Sequence, residues 1–155
     1  MSEMITNWLM AFLHHLAAFT LFAALVYQFI LLHKPFSVQT AQSLLHTDQI
    51  YGISAVTILV IGFGRALHFE KGEAYYFHSL PFIVKISLFA LVGILSIYPT
   101  VKFLSWRSSL KQQQLPQVSA TTLNIIRRLI HIELAAVVAI MLCAAMMAKG
   151  IGYFG

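Results

Sequence analysis

From Trp8 to Leu32 the chain runs 25 residues without an aspartate, glutamate, lysine or arginine. An α-helix needs about 20 apolar residues to cross the hydrocarbon of a bilayer, so this run is long enough to span one. In lipid every backbone N–H and C=O must be satisfied within the protein, which leaves a helix as the conformation for a single such segment. Three further apolar segments follow, at Gln49–Leu67, Pro81–Val101 and Leu129–Ala148. At 1.5 Å per residue the four extend roughly 28–38 Å each. The whole chain is 59% hydrophobic and 10% charged, against about 25% charged residues in a soluble domain. None of the four segments has the broad charged face of a helix on a soluble protein. The expectation is an all-α integral membrane protein, a four-helix bundle forming one membrane domain over residues 1–155.

Charge sets the expected orientation. Lys102, Arg107, Lys111, Arg127 and Arg128 bracket the third loop with no acidic residue among them. Basic loops stay in the cytoplasm, so this loop and the first one, with Lys34, face inward. Both termini and the loop Leu67–Leu80 then face outward, an N-out, C-out topology. The net charge of +5 reflects this loop asymmetry, and no nucleic-acid partner is expected. The first segment lacks a basic leader and a small-residue cleavage site, so it reads as a span and not a signal peptide. Cys143 is the only cysteine, which excludes an internal disulfide.

Ionisable side chains inside the spans are costly and mark functional sites. Two groups emerge from helical depth and phase. The outer group is His14, about 9 Å below the boundary set by Trp8, with Arg65 at the end of span two and Lys85 early in span three. His68, Glu70, Lys71, Glu73, Tyr75, Tyr76 and His78 lie in the loop above. The inner group is Asp48 and Tyr51, Tyr27 and Gln28, Ser96, Tyr98 and Thr100, and His131 and Glu133. Each span carries one polar stripe at three- and four-residue steps. These stripes are Asp48–Tyr51–Ala55–Ile58–Gly62–Arg65, Lys85–Phe89–Val92–Ser96–Pro99, His14–Ala18–Leu21–Leu25–Gln28 and Glu133–Ala136–Ile140–Ala144–Met147. His15 is turned about 100° from His14 and reads as a flank residue. Pro99 is expected to bend or end its helix.

Each polar residue has a structural and a functional reading. His14 is a hydrogen-bonded packing residue, a haem or metal ligand, or a proton carrier. Lys85 is a lysine snorkelling to the surface or a counter-charge to a carboxylate. Glu133 forms an ion pair with Arg127 or Arg128, or transfers protons. Asp48 caps span two, or joins Tyr51 and Glu133 in a proton path. His131 cannot share one iron with His14, because their depths differ by about 15 Å; Met141 lies at the depth of His14, and His68 and His78 are loop alternatives. No phosphate-binding glycine loop, paired-cysteine site or H-E-x-x-H occurs, and no catalytic residues are assigned.

The segment Phe12–Phe19 with its two histidines, Gly64-Arg65, Phe69-Glu70-Lys71-Gly72, Tyr75-Tyr76, Phe82 with Lys85, and Leu95–Thr100 together resemble the bacterial membrane-protein family known as domain of unknown function 2214. The resemblance covers essentially the whole chain and implies a multi-pass protein of the bacterial inner membrane with no assigned activity. A more distant similarity, to copper-resistance D-type and membrane protoporphyrinogen-oxidase-type four-helix proteins, rests on His14 and Lys85. It implies haem b with His14 as ligand; in that redox reading Arg65 and Lys85 pair the propionates. The histidine that the oxidase type carries two residues before its lysine is Ile83 here. Two functions therefore stand open: a haem- or porphyrin-binding redox protein, or a non-enzymatic accessory subunit or small proton- or ion-coupled transporter. The expected partners are the bilayer and a redox or membrane-complex protein.

Overall fold

The computed structural model describes the backbone of residues 2–68 and 79–152, and the side chains of 4–64 and 79–152. Among the described residues there are five helices: α1 Ser2–Leu32, α2 Val38–His68, α3 Leu80–Ser105, the short α4 Arg107–Lys111, and α5 Ala120–Ala148. The four long helices are each long and apolar enough to cross a membrane. They form the expected bundle. α1 pairs most extensively with α2 and α3 with α5, while α1–α5 and α2–α3 packing closes the ring.

The helices overrun the apolar segments, and local capping explains where they start. α2 begins at Val38, well before Gln49, because Ser37 Oγ accepts the Thr40 amide at 3.1 Å. α5 starts in the same way: Ser119 Oγ accepts the Thr122 amide at 3.1 Å. Each cap satisfies an amide that has no intrahelical partner. Asp48 is therefore no cap; it lies three turns inside α2. Pro99 does not end α3 either. It is buried inside the helix, which continues to Ser105, at the cost of one backbone hydrogen bond.

α5 ends on a Schellman turn. The Ile151 amide donates to Met146 O and the Gly150 amide to Met147 O, both at 3.1 Å, with Gly150 at φ 70° as this cap demands. The following turn brings Gly152 against the start of α3. Its carbonyl accepts the Leu80 amide at 3.1 Å, and a Cβ there would sit 2.8 Å from Pro81 Cδ.

Burial is lopsided. Leu21, Leu25, Leu44, Tyr51, Phe103, Ile126 and Ile130 are the main part of the core, and they lie toward the end that carries the α1–α2 and α3–α5 loops. That end is pinned by Trp106, whose ring meets Phe36 at 5.4 Å and Phe103 at 5.1 Å between centroids. Arg127 adds a cross-link, its Nε donating to Leu32 O at 2.7 Å, where the end of α1 leaves a carbonyl unsatisfied. At the opposite end the large apolar side chains of α1, among them Met4, Trp8 and Phe12, are exposed, as suits a surface facing lipid.

Candidate functional site

Six polar side chains from all four spanning helices meet in the well-packed half of the bundle. α1 contributes Gln28, α2 Asp48 and Tyr51, α3 Ser96 and Thr100, and α5 Glu133. Asp48 and Tyr51 lie one turn apart, as do Ser96 and Thr100, so each pair shares a helix face. Ile50 and Ile132, on the neighbouring faces of their helices, are exposed.

Burial here is nearly complete: Gln28 is 2% exposed, Asp48 5%, Tyr51 4% and Glu133 1%. Asp48 Oδ1 accepts two hydrogen bonds, from Gln28 Nε2 at 3.3 Å and from Thr100 Oγ1 at 3.1 Å. This carboxylate thereby ties α1, α2 and α3 together. The Tyr51 hydroxyl stands between Ser96 and Glu133, joining α2 to α3 and α5. Glu133 Oε1 is wholly buried and has no hydrogen-bond partner among the described residues.

The ion pair expected for Glu133 does not form among the described residues. Arg127 lies on another face of α5 and is occupied by Leu32 O and by Asn124 Oδ1 at 3.0 Å. Arg128 is exposed. No described lysine, arginine or histidine is among the buried polar residues. His131, Tyr27 and Tyr98, expected from sequence to join this group, point outward: His131 lies against Phe29 at 5.7 Å between rings, and Tyr98 lies under Lys102 Nζ at 5.5 Å. Depth places these three correctly and phase turns them away. Buried Ser54, one turn beyond Tyr51, escapes the sequence reading, although its i+3 step from Tyr51 is visible there.

In the outer half, His14 is half-buried and faces α2. A Cβ built on Gly62 would lie 3.5 Å from His14 Cε1, so the imidazole rests on the α2 backbone at a glycine, a close approach typical of helix pairs in membranes. Met10 packs in the same way on Gly64. His15 is exposed and turned back on its own helix, where Nδ1 bonds to Ala11 O at 2.7 Å. Lys85 is half-buried on α3. Arg65 lies in α2 with its side chain outside the described residues, as is that of His68, and Glu70, Lys71, Glu73, Tyr75, Tyr76 and His78 lie outside them too. Met141 is 46% exposed and turned from the interior. Among the described residues no three of histidine, cysteine, aspartate or glutamate converge as metal ligands.

Four membrane-length helices around a shared polar interior define a polytopic α-helical membrane protein. The chain belongs to the DUF2214 family of predicted membrane proteins, whose model matches residues 6–152. No curated protein and no solved structure matches it.

Proposed function

We propose that the protein is a small proton-coupled carrier of the bacterial inner membrane, with Asp48, Tyr51 and Glu133 as its proton-handling site. The observation that carries this reading is the pairing of two almost fully buried carboxylates with no basic side chain among the buried residues described beside them. An uncompensated charge in a low-dielectric interior is strongly unfavourable. A proton arriving at and leaving the site is the compensation these residues are built to exchange. Tyr51, a donor and acceptor between Ser96 and Glu133, provides the relay, and Glu133 Oε1, without a partner among the described residues, is the atom at which a proton is gained or lost. Ionisable residues facing a membrane bundle interior serve such relays in pumps and transporters. Charge bias supports a cytoplasmic position for the loop end, the end nearer to the site.

The test is proton binding, read without knowledge of the transported solute. Infrared difference spectra of the reconstituted protein between acidic and alkaline buffer should contain a carboxylic-acid carbonyl band that is lost in Glu133→Gln. Pyranine-loaded vesicles under a potassium diffusion potential should acidify, and Asp48→Asn should slow them. A protein with neither band nor flux overturns the proposal. The haem reading hangs on His14, whose ring is packed on Gly62, and is tested independently by the absorption spectrum.

A further inference from the structure

The loop end of the bundle carries a second feature, separate from the carboxylates. A groove of about 350 Å³ runs between the first turns of α2 and the short helix α4. Its polar lining is His46, Gln42 and Gln49 from α2 and Arg107 and Lys111 from α4, with Leu110 as part of the floor. No acidic residue lines it among the described residues. His46, Arg107 and Lys111 are exposed, so the charges of Arg107 and Lys111 and the ring nitrogens of His46 are available to a ligand. Gln42, His46 and Gln49 recur at steps of four and three along α2, and the face continues with Ile50, one turn past His46, and Ile53, one turn past Gln49, which are 38% and 69% exposed. The groove is thus cationic at the membrane surface and passes directly into a lipid-facing apolar strip.

We infer that this groove binds the phosphodiester headgroup of an anionic phospholipid, with an acyl chain lying along Ile50 and Ile53. Arg107 and Lys111 hold the phosphate, Arg107 through its fork of donors and Lys111 as a point charge, while Gln42 and Gln49 hydrogen-bond the ester and headgroup oxygens. Basic pockets between membrane helices on the side facing an anionic leaflet recognise such lipids. The apolar strip favours a lipid over a free anion, since a free phosphate makes no use of Ile50 or Ile53.

Native mass spectrometry of the full chain in neutral detergent measures this directly, with phosphatidylglycerol, phosphatidylcholine and inorganic phosphate as probes. Phosphatidylglycerol is expected to bind most tightly, and the double variant Arg107→Gln/Lys111→Gln to bind it about 30-fold more weakly, some 5-fold for each charge removed. The control Lys34→Gln/Arg128→Gln removes two basic residues from the same end but outside the groove and should retain most of the affinity. Circular dichroism on both variants confirms that the bundle is intact, as expected for exposed positions. Equal losses in the two double variants would show diffuse surface charge and overturn the site. Equal binding of phosphatidylcholine, or displacement of phosphatidylglycerol by an equal concentration of inorganic phosphate, would overturn the lipid assignment.

Discussion

Two carboxylates of the same cluster should respond with opposite sign to the same kind of mutation. Glu133→Met keeps a straight side chain of similar length and removes an oxygen that has no hydrogen-bond partner among the described residues. An unsatisfied buried polar atom costs about 1–3 kcal/mol, whereas the hydrogen bond to Tyr51 that the substitution removes is worth only about 0.6 kcal/mol by the average for membrane bundles. Tyr51 keeps Ser96 as a partner. The net expectation is a gain of about 1 kcal/mol. Asp48→Val is the reverse case. It deletes an acceptor for two hydrogen bonds and strands the Gln28 amide, which is 2% exposed. Two broken bonds and one buried donor without a partner should cost about 2–4 kcal/mol of stability. Asp48→Asn keeps an acceptor oxygen and should fall between the two. Unfolding in mixed micelles of detergent and sodium dodecyl sulfate, followed by far-ultraviolet circular dichroism, reads all three. If Glu133→Met destabilises as much as Asp48→Val, Glu133 is a structural member of the network and the distinction drawn between the carboxylates is wrong. The sign also bears on function, since residues whose replacement stabilises a protein are concentrated where activity demands an unfavourable arrangement.

Further expectations follow from single side chains. Tyr51→Phe leaves a buried ring in place and removes only the hydroxyl, so the fold should persist while proton flux in vesicles falls by roughly 10²-fold; unchanged flux excludes Tyr51 as a relay. Gly62→Ala should be tolerated, since its Cβ would meet His14 Cε1 at 3.5 Å, whereas Gly62→Ile drives the imidazole off α2 and should cost about 1–3 kcal/mol in the same unfolding assay. Ser119→Ala removes the cap on Thr122 and should lower stability by about 1 kcal/mol, with no effect on proton binding. Purified protein supplied with haem should show no Soret band in reduced-minus-oxidised spectra; a band abolished by His14→Ala would instead establish the ligand role for that residue.

The architecture was legible because the bilayer leaves few choices. A charge-free run such as Trp8–Leu32 must be a helix in lipid, whatever its neighbours do. Phase in the well-packed half was legible too. The stripes through Leu21, Leu25 and Gln28, through Asp48 and Tyr51, and through Val92, Ser96 and Pro99 are the faces that the bundle buries. Helix starts were not, because hydropathy registers lipid contact while Ser37 and Ser119 nucleate helices in polar sequence. The grouping of His131 with Glu133 failed because depth is a one-dimensional coordinate. Two residues apart on a helix point some 200° apart, and only one of them faces inward.

Sequence alone determined that four helices cross a membrane, which end carries the positive charge, and which stripe of each helix is polar. These follow from local chemistry: transfer of side chains into lipid, and a period of 3.6 residues per turn. The tertiary structure alone decided the pairings. It gave Asp48 to Gln28 and Thr100, set Tyr51 between Ser96 and Glu133, and took Arg127 away to Leu32 O. Which stripes meet at which height depends on how far each helix slides and rotates against its neighbours. That is settled by packing at residues such as Gly62 and Trp106, far along the chain from the carboxylates they align.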